Sequence, residues 1–306
     1  MADLTDMAVS LAGVGLKNPI VAASGTFGFG REYNEYFDIS RLGGICVKGL
    51  TLHPREGNPP PRIAEAPSGC LNSVGLQNPG VCAFIRDELP FLRAHDIAVI
   101  VNISGDTVEE YGEMAKILGA SADMLEVNIS CPNIHEDGLN FGATERGAAL
   151  VTEAVAKNAK VPVMVKLSPN VTDISSIAIA CEESGAHAIS LINTLLGMRI
   201  DIDSRRPVLR KNIGGLSGPA VLPVALRAVW QVSRSVRLPI LGMGGVSSAE
   251  TAVEMMLAGA TAVGVGAAIF GDPHAPMKIL HRLAEYAKTN GIASISELTG
   301  AAKAWD

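Results

Sequence analysis

The run Met124-Leu125-Glu126-Val127-Asn128-Ile129-Ser130-Cys131-Pro132-Asn133 decides how the chain reads. Its first four residues read as a buried strand. Proline has no N–H to give a sheet ladder, so Pro132 requires the strand to have ended, and Asn128 is where its apolar run stops. Cys131 then lies in a turn at the mouth of a strand, between two asparagines. Free cysteines are often simply small buried hydrophobes. Taken alone, this thiol reads equally well as packing or as a reactive centre.

Outward from this point the same plan recurs. Gly44 to Val47 ends at Lys48, Ile97 to Val101 at Asn102, and Val161 to Val165 at Lys166. Ala188 to Ile192 ends at Asn193-Thr194, Leu238 to Leu241 at Gly242-Met243-Gly244-Gly245, and Ala262 to Val265 at Gly266. Upstream, Met7 to Leu11 and Ile20 to Ala23 flank a Gly13/Gly15 turn, and the second ends at Ser24-Gly25-Thr26. Helices fill the gaps. Asp106 with Glu109, and Ser247 with Glu250, have the spacing of a capping box. Thr144 opens a helix to Asn158, Asp173 caps one that stops at Gly185, Gly218-Pro219 opens one to about Ser235, and a last helix covers roughly 275–289. Three helix-to-strand joints echo one another: Gly119-Ala120-Ser121-Ala122, Gly185-Ala186-His187-Ala188 and Gly259-Ala260-Thr261-Ala262. Glycine supplies the left-handed stop, and small residues let the next strand pass beneath.

Eight such units, with strands apolar throughout, suit parallel strands buried on both faces. The expectation is a single domain over 1–306: an α/β (β/α)8 TIM barrel with an N-terminal β-hairpin and loop insertions at the C-terminal rim. A doubly wound open sheet is the alternative, and no G-x-G-x-x-G follows the first strand to support it. The insertions are the proline-rich 53–67, the loop Gly69 to Leu76 and a polar segment after Thr194. Long segments without helical periodicity are more often functional than idle.

Composition narrows the function. The 306 residues are 48% hydrophobic and 18% charged, with net charge -6 and no basic run, which argues against a nucleic-acid surface. No apolar run is long enough to span a membrane, and the acidic first residues resemble neither a signal nor a transit peptide. Cys46, Cys70, Cys82, Cys131 and Cys181 form no CxxC pair, so no metal or iron–sulfur site is expected; a reduced, cytoplasmic protein fits.

In a barrel the active site lies at the C-terminal strand ends. Those ends are Ser24, Lys48, Asn102, Asn128, Lys166, Asn193-Thr194, Gly244-Gly245 and Gly266. Glycines after strands seven and eight suit a phosphate held by backbone N–H groups; tight turns are the plainer alternative. Lysines at apolar strand ends call for an anionic ligand or a rim carboxylate. Asparagines offer both donor and acceptor, matching a flat heterocycle, although each could merely cap a turn. Together they suggest a phosphate-bearing planar cofactor, a small anionic amide-like substrate, and a cysteine able to take a proton while the cofactor takes a hydride.

These residues also carry a resemblance. Asn128-Ile129-Ser130-Cys131-Pro132-Asn133 resembles the active-site segment of class 1 dihydroorotate dehydrogenases. So do Val47 to Thr51, Leu71 to Gly80, Ile192-Asn193-Thr194, Leu216 to Ala220 and Gly242 to Val246. Cysteine, where the membrane-bound class has serine, points to class 1; Leu216 to Val232 and Gly242-Met243-Gly244-Gly245 look most like the NAD-linked 1B catalytic subunit. The resemblance implies oxidation of (S)-dihydroorotate to orotate in pyrimidine biosynthesis, with Cys131 as the base at C5 and FMN taking the C6 hydride. It implies FMN contacts from Ser24, Lys48, Gly49, Asn102, Asn128, Lys166, Ile192 and Gly218, with the phosphate at Gly244, Gly245, Gly266 and Ala267. Lys166 would offset charge on the reduced ring. The family usually has threonine at the position of Ala267, so one hydroxyl contact is lost there while the backbone N–H remains. Substrate contacts would come from Lys48, Asn72, Ser73, Val74, Gly75, Leu76, Asn128, Asn193 and Thr194. The same resemblance implies a partner subunit with FAD and a [2Fe–2S] cluster that reduces NAD+, in a heterotetramer of two catalytic and two electron-transfer subunits. Ile134 to Phe141 would form a lid with hinges at Gly138 and Gly142. His135 in it is either a tuner of the thiol or an exposed loop residue. The competing readings are a fumarate-linked 1A enzyme, a dihydropyrimidine dehydrogenase-like subunit, and a non-catalytic flavin-binding scaffold.

Overall fold

The computed structural model describes residues 5–130 and 141–305. Its centre is a closed barrel of eight strands: β1 (Ile20–Ala22), β2 (Gly44–Cys46), β3 (Ala98–Ile103), β4 (Met124–Asn128), β5 (Val163–Lys166), β6 (Ala188–Leu191), β7 (Ile240–Met243) and β8 (Ala262–Val265). Each strand runs parallel to its neighbour in sequence. β8 closes on β1 through Val263↔Ile20, Gly264↔Val21 and Val265↔Ala22. Every residue of β5 to β8 is buried, as strands covered on one face by barrel interior and on the other by helices must be. The expected (β/α)8 architecture is therefore what the chain forms.

The helices follow the expected punctuation closely. Glu145–Asn158 is capped by Thr144, whose hydroxyl accepts from Gly147, and Ile174–Glu183 by Asp173, whose carboxylate accepts from Ser175 and Ser176. The last helix is Ala275–Thr289. Gly119, Gly185 and Gly259 all adopt positive φ at the helix-to-strand joints. Two caps sit one residue later than the spacing suggested. Thr107, not Asp106, caps Val108–Leu118, and the Asp106 N–H is taken by the Glu110 carboxylate at 2.7 Å. Ser248 and Thr251, not Ser247 and Glu250, form the capping box of Ala249–Leu257, where Thr251 Oγ1 accepts from the N–H groups of both Ser247 and Ser248. Each pair of candidates has the same spacing, so only the hydrogen bonds separate them.

The N-terminal hairpin also differs in detail. Val9–Leu11 pairs with Val14–Leu16, inside the supposed turn, while Ile20–Ala22 is the first barrel strand. The insertions are not loops throughout. Ile63–Ala66, Gly69–Asn72, Gly214–Ser217 and Leu195–Gly197 build a four-stranded antiparallel sheet over the rim. Each strand is three or four residues long, and two of its three pairings join segments distant in the chain, which local propensity does not reveal.

Candidate active site

The C-terminal rim and this sheet enclose a cavity of about 860 Å³. Ser24, Lys48, Gly49, Asn102, Asn128, Lys166, Ile192, Gly218, Gly244, Gly245, Gly266 and Ala267 all line it. So do Asn72, Ser73, Val74, Gly75, Leu76, Asn193 and Thr194. Cys131 and His135 lie outside the described residues, as does the expected lid from Ile134 to Asn140. Phe141, the lid's expected last residue, is buried edge-on against Tyr111. A Cβ on Gly142 would come within 2.6 Å of the Ile129 carbonyl oxygen, a close approach that glycine allows.

Strand register explains the floor. Asn102 on β3 stands opposite Glu126 on β4, and Asn128 opposite Lys166 on β5. Asn102 gives its Nδ2 to Glu126 Oε2. Its other end, Oδ1, is buried, has no partner among the described residues, and lies 2.7 Å from where a Cβ on Gly49 would sit. Asn128 is arranged the opposite way. Its Oδ1 accepts from Asn193 Nδ2 at 3.1 Å and from the Ser130 N–H at 3.2 Å, and its NH₂ end has no partner among the described residues. Asn102 thus offers an acceptor and Asn128 a donor.

Two further buried oxygens lack partners among the described residues, Ser73 Oγ and Ser130 Oγ. Both residues line the same cavity. A buried polar atom left unpaired costs about 1–3 kcal/mol. Three such atoms around one cavity are the signature of a polar ligand that completes them.

The charges are positive. Burial is the main cause that holds the Lys48 ammonium below the ordinary lysine range, with the Arg62 and Lys166 charges adding to it. An anion beside Lys48 would relieve all three effects. Lys166 is buried and has Glu126 Oε2 at 3.9 Å. The expected choice between an anionic ligand and a rim carboxylate thus resolves for Lys166 into a carboxylate one layer deeper, within the barrel.

The substrate-side loop is held by its own backbone. The Ser73 N–H donates to the Arg62 carbonyl and the Asn58 N–H to the Val74 carbonyl, both at 2.8 Å. Opposite, the glycine pair after β7 is sterically required. Gly244 and Gly245 have φ of +121° and +79°, and a Cβ on either would collide with Ala225 or Leu222. Gly266 has room for a Cβ, and Ala267 precedes the short helix Ala268–Gly271.

Glu126 escaped the reading of the sequence because it sits in a run of buried strand residues. It is wholly buried and takes hydrogen bonds from Cys46 Sγ, Asn102 Nδ2 and Ser190 Oγ. The only sequence signal was a carboxylate in an otherwise apolar strand, which must be paired if it is buried.

Residues 6–286 match the family model described as dihydroorotate dehydrogenase. The chain belongs to the dihydroorotate dehydrogenase family. A relative from Geotalea daltonii, named dihydroorotate dehydrogenase B (NAD(+)), catalytic subunit, is 52% identical over 97% of this chain and 98% of its own. Relatives with the same name from Desulforamulus reducens and Thermoanaerobacter pseudethanolicus are 54% and 51% identical, covering 97% of this chain and 98% and 99% of theirs. The resemblance to the NAD-linked 1B catalytic subunit, drawn from the motifs, agrees with these names. Among the described residues no helix is long and apolar enough to cross a membrane, and no cluster of three or more His, Cys, Asp or Glu could hold a metal ion.

Proposed function

We propose that this chain is the catalytic subunit of an NAD-linked dihydroorotate dehydrogenase, a single FMN-binding barrel domain that oxidises dihydroorotate to orotate in pyrimidine biosynthesis. The observation that carries the reading is the set of three buried polar atoms without partners among the described residues around one cavity, in a chain about half identical to dihydroorotate dehydrogenase B catalytic subunits.

The residues present fit FMN. Gly244 and Gly245 suit its phosphate because glycine at positive φ leaves the backbone open to close approach, and Gly266 and Ala267 suit it through backbone N–H groups ahead of a short helix after the last strand. Asn102, Asn128 and Lys166 supply an acceptor, a donor and a cation to a ring with alternating carbonyl and imine or imide groups, and Ser24, Gly49, Ile192 and Gly218 wall it. When bound, FMN supplies the acceptor for the hydride leaving C6 of the substrate.

The protein's own share is binding, orientation and proton transfer. Lys48 binds the substrate carboxylate, which restores its ammonium to a balanced environment. Asn193, Thr194, Asn128 and the loop from Asn72 to Leu76 fix the pyrimidine ring through its carbonyl and N–H edges. Cys131 takes the C5 proton as general base. Reduction of NAD+ would call for a partner subunit carrying FAD and a [2Fe–2S] cluster, in an assembly of two catalytic and two electron-transfer chains.

The chain purified alone and reconstituted with FMN should oxidise dihydroorotate with an artificial acceptor, turn over slowly with fumarate, and reduce NAD+ only when an FAD/iron–sulfur subunit is added. Fast turnover with fumarate would assign it to the 1A type, and absence of orotate with every acceptor would end the proposal.

A further inference from the structure

Beneath the cavity floor lies a polar layer that reaches the cavity only through Asn102 and Lys166. Glu126 is at its centre and is absent from the cavity wall. Three donors reach it from three other strands: Cys46 Sγ at the end of β2 at 2.8 Å, Asn102 Nδ2 on β3, and Ser190 Oγ on β6 at 2.7 Å. Lys166 Nζ on β5 stands 3.9 Å away. A carboxylate accepts hydrogen bonds and has none to give. The nitrogen of the Asn102 amide must therefore face it, and the Asn102 oxygen must face the other way, beside Gly49. That oxygen is one of the three buried atoms without a partner among the described residues. Cys46 keeps its proton for this role, since burial, with Glu126 adding to it, pushes its thiol far above the usual range.

We propose that Glu126 is a positioning residue: from one layer below the cavity it fixes which end of Asn102 faces a ligand, and it holds the Lys166 ammonium at the floor. The proposal rests on the reading of the cavity as an FMN site, whose ring would meet one fixed acceptor and one balanced cation there. Buried networks of this kind are costly unless every member is satisfied, and among the described residues the Asn102 oxygen, on a residue that lines the cavity, is the buried atom of this network left without a partner. Replacing Glu126 leaves the cavity wall intact in composition and changes only its polarity.

The test uses the full chain freed of flavin and titrated with FMN, with thermal melting as the folding control. Glu126→Leu should weaken FMN binding about tenfold, the loss of one well-made hydrogen bond and its fixed partner. Asn102→Ala should do the same, and the double variant should lose clearly less than the product of the two single losses, because part of the Glu126 effect is carried by Asn102 and only the Lys166 part adds to it. Wild-type affinity in Glu126→Leu, or losses that simply multiply, would overturn the proposal. Glu126→Gln guards against a leucine variant that fails to fold. Its side-chain oxygen still accepts from Asn102, and its NH₂ still meets the Ser190 hydroxyl, so FMN affinity should stay within about threefold. Its flavin midpoint potential should move positive, because the Lys166 charge is no longer balanced. An unchanged potential, or a loss of affinity equal to that of a floor without an acceptor, refutes the role. Failure of the wild-type chain itself to bind FMN would instead refute the flavin site, and this proposal with it.

Discussion

Asn193 donates its Nδ2 to Asn128 Oδ1 across 3.1 Å, tying the loop after β6 to the end of β4. The bond sets the polarity of Asn128: with its oxygen taken by Asn193 and by the Ser130 N–H, its NH₂ is left for a ligand. Asn193 in turn is oriented by the Thr194 N–H, which donates to its Oδ1 at 2.8 Å. Two asparagines and one backbone amide thus form a chain with a single direction.

Asn193→Ala should therefore do more than remove one contact. Asn128 keeps only the Ser130 bond and can turn. Loss of one neutral hydrogen bond is worth about 1 kcal/mol, so orotate affinity should fall at least about fivefold, read from the perturbation of the flavin spectrum. Unchanged affinity would mean that Asn128 is held by other means.

Lys48 gives a pH signature with a defined sign. Its folded-state pKa is depressed, first by burial and then by Arg62 and Lys166. In the window between that depressed value and the ordinary one near about 10.4, the unfolded chain binds the extra proton. Stability of the unliganded chain then rises with pH through this window. Lys48→Met should remove that rise, so the difference in urea midpoint between variant and wild type should shrink as pH increases from neutral. Saturating orotate should flatten the wild-type curve, since its carboxylate favours the charged lysine. A difference independent of pH would contradict this account.

The barrel and most of its rim were legible because they are local. A strand that ends at Lys166 or Asn128 announces itself by the residue type that follows an apolar run, and Asp173 or Thr144 by the helix it caps. The four-stranded sheet is not legible, because Gly69–Asn72 joins not only its neighbour Ile63–Ala66 but also Gly214–Ser217, far along the chain. Glu126 was missed for the same reason. Its partners lie on β2, β3, β5 and β6, and nothing near it in sequence reports them. A cap stays ambiguous by one residue where two capping candidates stand side by side, as Asp106 and Thr107 or Ser247 and Ser248 do, a degeneracy that only side-chain geometry removes.

The thiols should separate by burial. Cys82 is exposed and Cys70 half-buried, whereas Cys46 and Cys181 are buried. Burial pushes the Cys181 thiol up to about 12, despite a hydrogen bond with Thr152, and Cys46 is higher than usual for the reasons given above. In a Cys131→Ser background, alkylation of the native chain at pH 8 followed by peptide mass mapping should label Cys82 fast and Cys70 more slowly. Cys46 and Cys181 should react only after denaturation. Native-state labelling of Cys46 would show that the polar layer opens.

Gly49→Ala tests the acceptor from the cavity side. The added Cβ would sit 2.7 Å from Asn102 Oδ1 and 3.5 Å from Leu76 Cδ2. Asn102 cannot swing away without breaking its bond to Glu126, so the strain must move either the β3 side chain or the segment after β2. Overpacking of this kind costs roughly 1–3 kcal/mol, or about five- to a hundredfold in FMN affinity if it falls on the bound state. The chain should melt within a few degrees of wild type, because the barrel strands are untouched. Normal flavin affinity would show that Asn102 can yield, and that its oxygen is not a fixed part of the floor.

Cys131→Ala separates the base from the binding site. The thiol is proposed to take the C5 proton, whereas the flavin contacts belong to other residues. The alanine variant should therefore remain yellow and bind orotate, while dihydroorotate oxidation falls by roughly 10²–10⁴, the usual contribution of a positioned general base. Cys131→Ser should regain part of the rate as pH rises, since a hydroxyl is a poorer base that deprotonates later. Reduction of the flavin by dihydroorotate in a single turnover is the measurement to use, because it isolates proton and hydride loss from electron exit to a partner. If the alanine variant reduces its flavin as fast as the wild type, proton removal at C5 belongs to another group, and the Cys131 thiol returns to the packing role that its sequence position alone allowed.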